Sequence, residues 1–169
     1  MNNEFKKIEV NELNENVFSL IGKDWMLITS GTVDNYNTMT ASWGGMGYLW
    51  NKNVCFIFVR PSRYTYEFME KNDYFTLSFF PEDWRDALSV CGKKSGRDID
   101  KAKETGLQPI PGNYQTTGFS QARLIIECKK LYFQDFKPEH FLNPVIENNY
   151  NGRDYHRMYI GEVLSISIK

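Results

Sequence analysis

Within six residues, Arg60-Pro61-Ser62-Arg63-Tyr64-Thr65, the sequence sets two guanidinium forks and two hydroxyls around what reads as the start of a helix. Pro61 disfavours the α region for Arg60, and Ser62 is a good N-cap for a helix over 63–71. The first amides of such a helix lack intrahelical partners. Together with Arg60, Arg63, Ser62 and Thr65 they would combine fork-shaped donors, backbone donors and the positive end of the helix dipole. A phosphate monoester fits that set. The plain alternative is that Arg60 and Arg63 are surface charges paired with Asp73 or Glu67.

The residues leading into this site favour the first reading. The stretch 37–68 reads NTMTASWGGMGYLWNKNVCFIFVRPSRYTYEF. Its opening, 37–42, alternates short polar and small side chains, which leaves backbone amides open to a flat ligand. Gly44, Gly45 and Gly47 then relax the chain into a hairpin, and 51–53 is a polar turn. The unbroken apolar run 54–59 is a strand buried on both faces, and it delivers Arg60 at its end. A phosphate and a planar ring would thus be served by two adjacent pieces of backbone.

Four segments, NTMTASW at 37–43, VRPSRYTYEF at 59–68, KKSGRDIDK at 93–101 and YIGEV at 159–163, resemble the flavin reductase-like family of FMN-binding split β-barrels, in its flavoredoxin-like branch. They follow the family's order over most of the chain. The resemblance implies that the first segment holds an isoalloxazine ring through Thr38, Met39, Thr40, Ala41, Ser42 and Trp43. It implies that the second holds the 5′-phosphate through Arg60, Ser62, Arg63 and Thr65, and that Lys94, Ser95 and Arg97 of the third close over noncovalent FMN. Relatives often carry Asp-His before the final strand. Here the order is Arg153-Asp154-Tyr155-His156, an offset that leaves the role of His156 open; it is the one candidate catalytic residue, as a donor near the flavin.

The elements that must position these residues read as follows. Residues 17–21 and 25–33 suggest two strands, the second joined to 37–42 through the turn signal Asp34-Asn35-Tyr36-Asn37 as an antiparallel hairpin. After the arginine-led helix, Phe75, Leu77 and Phe79 alternate as a strand. A helix then opens at Pro81-Glu82-Asp83 and carries Trp84, Leu88 and Cys91 as its core stripe. A basic loop at 93–98 precedes a short helix that Gly106 ends. Residues 107–119 hold too many Pro and Gly for regular structure. Leu124, Ile126 and Cys128 alternate until Lys129-Lys130 breaks the phase, as in a bulged strand. Residues 138–152 are a polar excursion. In the last strand Met158, Ile160, Leu164, Ile166 and Ile168 share a face broken by Glu162, which needs a partner. The fold expected is mainly β, an antiparallel Greek-key split barrel with attached helices, in one domain over 1–169.

Composition excludes several function classes. With 169 residues, 41% hydrophobic and 15% aromatic, the chain can bury a core. Twenty basic against 21 acidic residues give a net charge of −1, with no basic block for nucleic acid or an anionic membrane. Cys55, Cys91 and Cys128 form no CxxC, the N-terminus lacks an apolar stretch of signal-peptide length, and no run is long enough to span a membrane, so a cytoplasmic protein is expected. His140 and His156 lack HExxH spacing, so no metal site is expected, and neither GxSxG nor GxGxxG occurs.

Two functions follow. The first is an oxidoreductase in which FMN takes a hydride from NAD(P)H, or electrons from a redox protein. The second is a non-catalytic FMN-binding carrier acting with a partner protein. A homodimer is expected from 12 Phe, 10 Tyr and 4 Trp, more aromatics than a barrel this size holds inside, and the resemblance implies the same. Tyr48, Leu49, Trp50 and 138–152 are its candidate surface, unless they cover their own barrel ends.

Overall fold

Among the described residues ten strands form, the longest where β-branched and aromatic residues are frequent: β1 Lys6–Ile8, β2 Met26–Thr32, β3 Asn35–Ala41, β4 Gly44–Leu49, β5 Lys52–Val59, β6 Tyr74–Phe79, β7 Pro109–Pro111, β8 Thr117–Phe119, β9 Leu124–Asp135 and β10 Arg157–Ile168. The computed structural model describes residues 5–169; residues 1–4, the start of the N-terminal stretch read above against a signal peptide, lie outside it. The main sheet is antiparallel with order β3-β2-β6-β9-β10-β5-β4, and β1 adds to β10. Neighbours that are distant in sequence, such as β2 with β6 and β5 with β10, give the Greek-key layout.

The two strands at opposite ends of that order, β3 and β4, are consecutive in the chain and joined only by Ser42 and Trp43. Three Cα steps reach about 11 Å, so the sheet has to curl until its edges meet. The result is a barrel split between β3 and β4. Its interior holds Met26, Ile28, Met39, Cys55, Ile57, Phe75, Leu77, Ile126, Cys128 and Tyr159. A second apolar cluster, including Leu27, Leu88, Cys91, Leu107, Phe119 and Ile125, forms on the outside of the sheet. There it is covered by helices α3 (Arg85–Lys93) and α4 (Lys101–Thr105) and by the β7–β8 hairpin. Helix α2 (Tyr64–Lys71) buries Met69 in the barrel core.

Several sequence expectations are corrected. Residues 17–21 are helical, as α1 (Val17–Ser19) running into a π-turn over Leu20–Asp24. The Asn16 side chain accepts from Ser19 N at 3.1 Å and caps that turn, while Leu20 and Ile21 bury; a short apolar run alone cannot separate strand from helix. The glycine-rich segment is strand β4, and its turn sits at Trp50-Asn51, both left-handed (φ 54° and 57°), the geometry of a two-residue hairpin turn. Residues 107–119 are partly ordered as β7–β8.

The bulge expected near Lys129-Lys130 is present: register slips between Tyr132 and Lys130 opposite Ile160 and Gly161. A further slip between Val163 and Ser165 moves the inward face of β10, so Tyr159 and Val163 point to the core before it and Ile166 and Ile168 after it. Met158 and Ile160 are thereby excluded from the face assigned above. Glu162 finds Lys52 at 2.6 Å.

Gly161 marks a close crossing in the barrel interior. A Cβ there would lie 2.5 Å from Phe75 Cζ, 2.6 Å from its Cε1 and 3.0 Å from Cys128 Cβ. Gly161→Ala is expected to destabilise the fold by about 1–3 kcal/mol through overpacking. Gly22→Ala, whose Cβ would meet open space, should be close to neutral; urea unfolding of both variants measures the difference.

Candidate functional site

Because β3 ends the strand order, only its β2 side is paired, and its other edge faces α3, α4 and the chain after β5. Register with β2 sends Ile28 and Met39 into the core and Leu27 and Thr40 outward. The outward Thr40 hydroxyl donates to the Leu88 carbonyl of α3. Gly92 lies against the same side chain: a Cβ on Gly92 would be 3.3 Å from Thr40 Cβ, so glycine lets α3 approach the strand. Buried Lys101 donates to the carbonyls of Thr38 (2.7 Å) and Cys91 (2.8 Å), tying α4 and α3 to the edge, and its burial lowers its pKa to about 8.

At the end of β3 a cavity of about 260 Å³ is lined by Met39, Thr40, Ala41, Ser42, Trp43, Phe58, Arg60, Arg63, Gly92 and His156. Through Ser42, Trp43 and Phe58 it continues into a more apolar cleft of about 790 Å³ beside Phe18, Gly44, Gly45, Phe136 and Tyr150. Through Thr40, Ser42 and Gly92 it meets a hollow of about 220 Å³ at Trp25 and Ser89. The structure thus brings together the strand residues 39–43, both arginines and His156.

Other predicted residues stand apart from this cavity. Thr38 bonds Thr29 at 2.8 Å, away from it. Thr65 is fully buried against Asn37; with its amide oxygen toward α2, Asn37 accepts from Thr65 N at 3.1 Å and from its hydroxyl at 2.7 Å. Lys94 pairs with Glu104, Ser95 Oγ accepts from Arg97 N at 3.1 Å, and Arg97 binds Glu67 at 2.5 Å and lies over the Tyr64 ring. None of these three lines the cavity.

The helix start also differs from expectation. Helix α2 begins at Tyr64 with Arg63 in the N-cap position, and Ser62 is outside it. Ser62 faces a carboxylate instead: Asp154 accepts from Ser62 N at 3.0 Å and from Ser62 Oγ at 2.6 Å. Of the helix amides expected to be free, Arg63 N donates to the Arg60 carbonyl at 3.0 Å, Thr65 N to Asn37 at 3.1 Å and Tyr66 N to the Arg63 carbonyl at 2.9 Å, while Asp154 takes the Ser62 amide and hydroxyl. The forks also hold backbone, Arg60 at the Asn149 carbonyl (2.8 Å) and Arg63 at the Gly92 carbonyl (2.8 Å). The surface-charge alternative named Asp73 and Glu67; Glu67 pairs with Arg97, and the carboxylate beside Arg60 is Asp154 at 3.9 Å.

Burial first, then the neighbouring Arg60, push the Arg63 pKa down, while Asp154 opposes the shift. This donor set suits an oxyanion, and the Asp154 carboxylate on Ser62 is an oxyanion already bound there. The small side chains of β3 beside Gly92, with Trp43 and Phe58 at the open end, suit a flat ring. On both counts the residues fit a phosphate monoester that also carries a flat ring, such as FMN.

His156 sits between Trp43 (ring centroids 5.2 Å) and Phe58 (6.4 Å), and its Nδ1 meets Tyr150 Oη at 2.9 Å. Burial first, then the charge on Arg60, lower its pKa to about 4, while Asp154 opposes the shift. The imidazole is neutral at neutral pH. Burial raises the Tyr150 pKa, which keeps the phenol protonated; its hydroxyl donates to Nδ1 when the imidazole proton lies on Nε2 and accepts from Nδ1 in the other tautomer. Asp154, Asn149, Tyr150, Phe58 and Gly92 were not singled out from sequence. Asp154 had a signal, being the acidic member of the offset Asp-Tyr-His motif.

A family model described as "Flavin reductase like domain" matches residues 18–169. No curated protein matches the chain. Among solved structures, the FMN-binding domain of a flavin reductases-like enzyme from Shewanella baltica OS155 superimposes with TM-score 0.70 at 15% identity, covering 99% of this chain and 78% of that one. Flavoredoxin from Methanosarcina acetivorans gives 0.69 at 20% identity, with coverages of 97% and 76%. Flavoredoxin of Desulfovibrio vulgaris (Miyazaki F) gives 0.67 at 21%, with coverages of 86% and 69%. At these identities the likeness shows the fold. A solved neighbour from Shewanella frigidimarina NCIMB 400 is described as a putative flavin reductase with a split barrel domain, the architecture found here.

The lowered pKa of His156 has a stability consequence. Below pH 6.5 the unfolded chain takes up a proton that the folded chain refuses until about pH 4, so stability falls as pH drops through that window and is unaffected above it. The wild type is expected to lose about 2–3 kcal/mol more than His156→Gln between pH 7 and pH 4. Denaturant midpoints across that range give the comparison, and parallel curves would remove His156 as the cause.

Proposed function

Because the chain belongs to the flavin reductase-like domain family, we propose that it is an FMN-binding oxidoreductase whose flavin is reduced by NAD(P)H or by a redox protein. The observation that carries this reading is the convergence of 39–43, Arg60 and Arg63 on one cavity with a bound carboxylate beside it. Solved neighbours described as an FMN-binding protein from Thermus thermophilus and as flavoredoxins support it.

Met39 to Trp43 would hold the ring along the β3 edge, with Trp43, Phe58 and His156 at its open end. Arg60, Ser62 and Arg63 would hold the phosphate. Thr38 and Thr65 brace the strand and helix behind them, and Lys94, Ser95 and Arg97 fix the covering loop rather than reach the ligand. Bound flavin would supply the redox chemistry, and the chain would position it and exclude water. His156 is neutral; in the tautomer with its proton on Nε2 it would donate a hydrogen bond, and it is not needed as an acid. The more apolar cleft beside Phe18 and Tyr150 would admit the donor or acceptor.

A cytoplasmic setting belongs to this reading, supported by three cysteines that are all buried and unpaired. No helix among the described residues is long and apolar enough to cross a membrane, and among them no group of metal-ligating side chains occurs. A homodimer is part of the proposal, supported by exposed Tyr48, Trp50, Leu142 and Val145. Light scattering at micromolar concentration should give twice the 19.8 kDa chain mass, and a monomer that binds FMN would remove the dimer.

Titration with FMN and riboflavin tests the function. Arg60→Gln and Arg63→Gln are each expected to weaken FMN by about 1.5–3 kcal/mol, the worth of a charge-assisted hydrogen bond, and to leave riboflavin nearly unchanged. Equal losses for both ligands would move the arginines away from the phosphate. NADH and NADPH oxidation by the FMN-loaded protein, with ferric acceptors, separates an enzyme from a carrier, which binds FMN without turnover.

A further inference from the structure

In the reading above the carboxylate on Ser62 marks an anion site, yet it occupies the donors that a phosphate needs. Asp154 Oδ1 accepts from Ser62 N at 3.0 Å and Oδ2 from Ser62 Oγ at 2.6 Å, and Oδ2 lies 3.9 Å from Arg60 Nη1. Carboxylates and phosphates are recognised by the same donors. We propose that Asp154 is an internal competitor for the phosphate, so that a phosphate monoester binds by displacing this carboxylate from Ser62 and Arg60. The inference rests on the FMN reading and names how its anion site is regulated.

The segment around Asp154 is built to hold on and to let go as a piece. Arg60 Nη2 donates to the Asn149 carbonyl at 2.8 Å, and its guanidinium lies 5.0 Å from the centre of the Tyr150 ring. Asp154 itself is left-handed (φ 57°), a conformation that a residue with a side chain adopts where its contacts over-determine it. Behind the contact, Glu147 Oε1 accepts from Gly152 N at 2.9 Å and from Tyr155 Oη at 2.6 Å, so residues 147–155 carry their own internal bonds.

Two anions cannot share Ser62 N and Oγ. A phosphate arriving while Asp154 stays would meet a like charge where it needs a donor, and this repulsion opposes its binding. Displacement hands both donors to the phosphate and sends Asp154 toward solvent. Since His156 lies two residues on and lines the ring end of the cavity, release of Asp154 also reaches the flavin end of the site. Riboflavin, which has no phosphate, has nothing with which to displace the carboxylate.

The test uses Asp154→Ala and Asp154→Asn, with thermal melting to establish that each folds. Fluorescence titration with FMN should show affinity rising about tenfold in Asp154→Ala, the equivalent of about 1.4 kcal/mol, and less in Asp154→Asn, which keeps an acceptor for Ser62. Riboflavin affinity should change less than twofold. Calorimetry with inorganic phosphate should show a matching gain. If FMN affinity falls or stays constant in both folded variants, or if FMN and riboflavin move together, Asp154 orients Arg60 and the competitor role is overturned. A wild type that binds no flavin, with phosphate affinity gained in Asp154→Ala, would sink the FMN reading and leave the competitor standing.

Discussion

Two residues, Ser42 and Trp43, join the strands at opposite ends of the sheet, and everything else follows from that short connection. It forces the sheet to curl and leaves β3 with one edge that no strand pairs. An unpaired edge inside a protein has to be satisfied by other groups. Helix α3, the Lys101 ammonium and the cavity share that edge, which puts small side chains and open backbone beside the arginines that β5 delivers. The split in the barrel and the candidate binding site are therefore one feature.

The same logic explains why the anion site is internally satisfied. Ser62 N, the Ser62 hydroxyl and the Arg60 fork stand together, Ser62 exposed and Arg60 half-buried beside the Tyr150 ring, and a carboxylate gives these donors a charged acceptor. The Asn149 carbonyl comes from the 138–152 excursion and the Asp154 carboxylate from the motif that follows it. A segment with no evident assignment from sequence thus closes over the arginines. Its aromatic residues Phe141, Tyr150 and Tyr155 stack on one another and hold it in place.

Sequence reading captured what periodicity and local chemistry encode. The apolar run 54–59, the β2–β3 hairpin, the core stripe of α3 and the bulge after Cys128 are each written in consecutive side chains. It missed what depends on distant partners. Residues 17–21 are helical because Asn16 caps them and the barrel end receives Leu20 and Ile21. The inward face of β10 changes at a slip that only pairing with β9 creates. In the candidate site, Arg60 and Arg63 were legible from type and position, and residues 39–43 and His156 through the family resemblance, whereas Thr65 as a buried brace and Asp154 as the partner of Ser62 depend on contacts across 28 and 92 residues of chain.

The central claim is that FMN lies along the β3 edge with its phosphate toward the arginines. A crystal structure of the protein soaked with FMN tests it most directly. The account predicts ring density against Met39 to Trp43, phosphate density at Arg60, Ser62 and Arg63, and an Asp154 side chain withdrawn from Ser62. Flavin density elsewhere on the barrel, or a phosphate that leaves the contact between Asp154 and Ser62 intact, would contradict it.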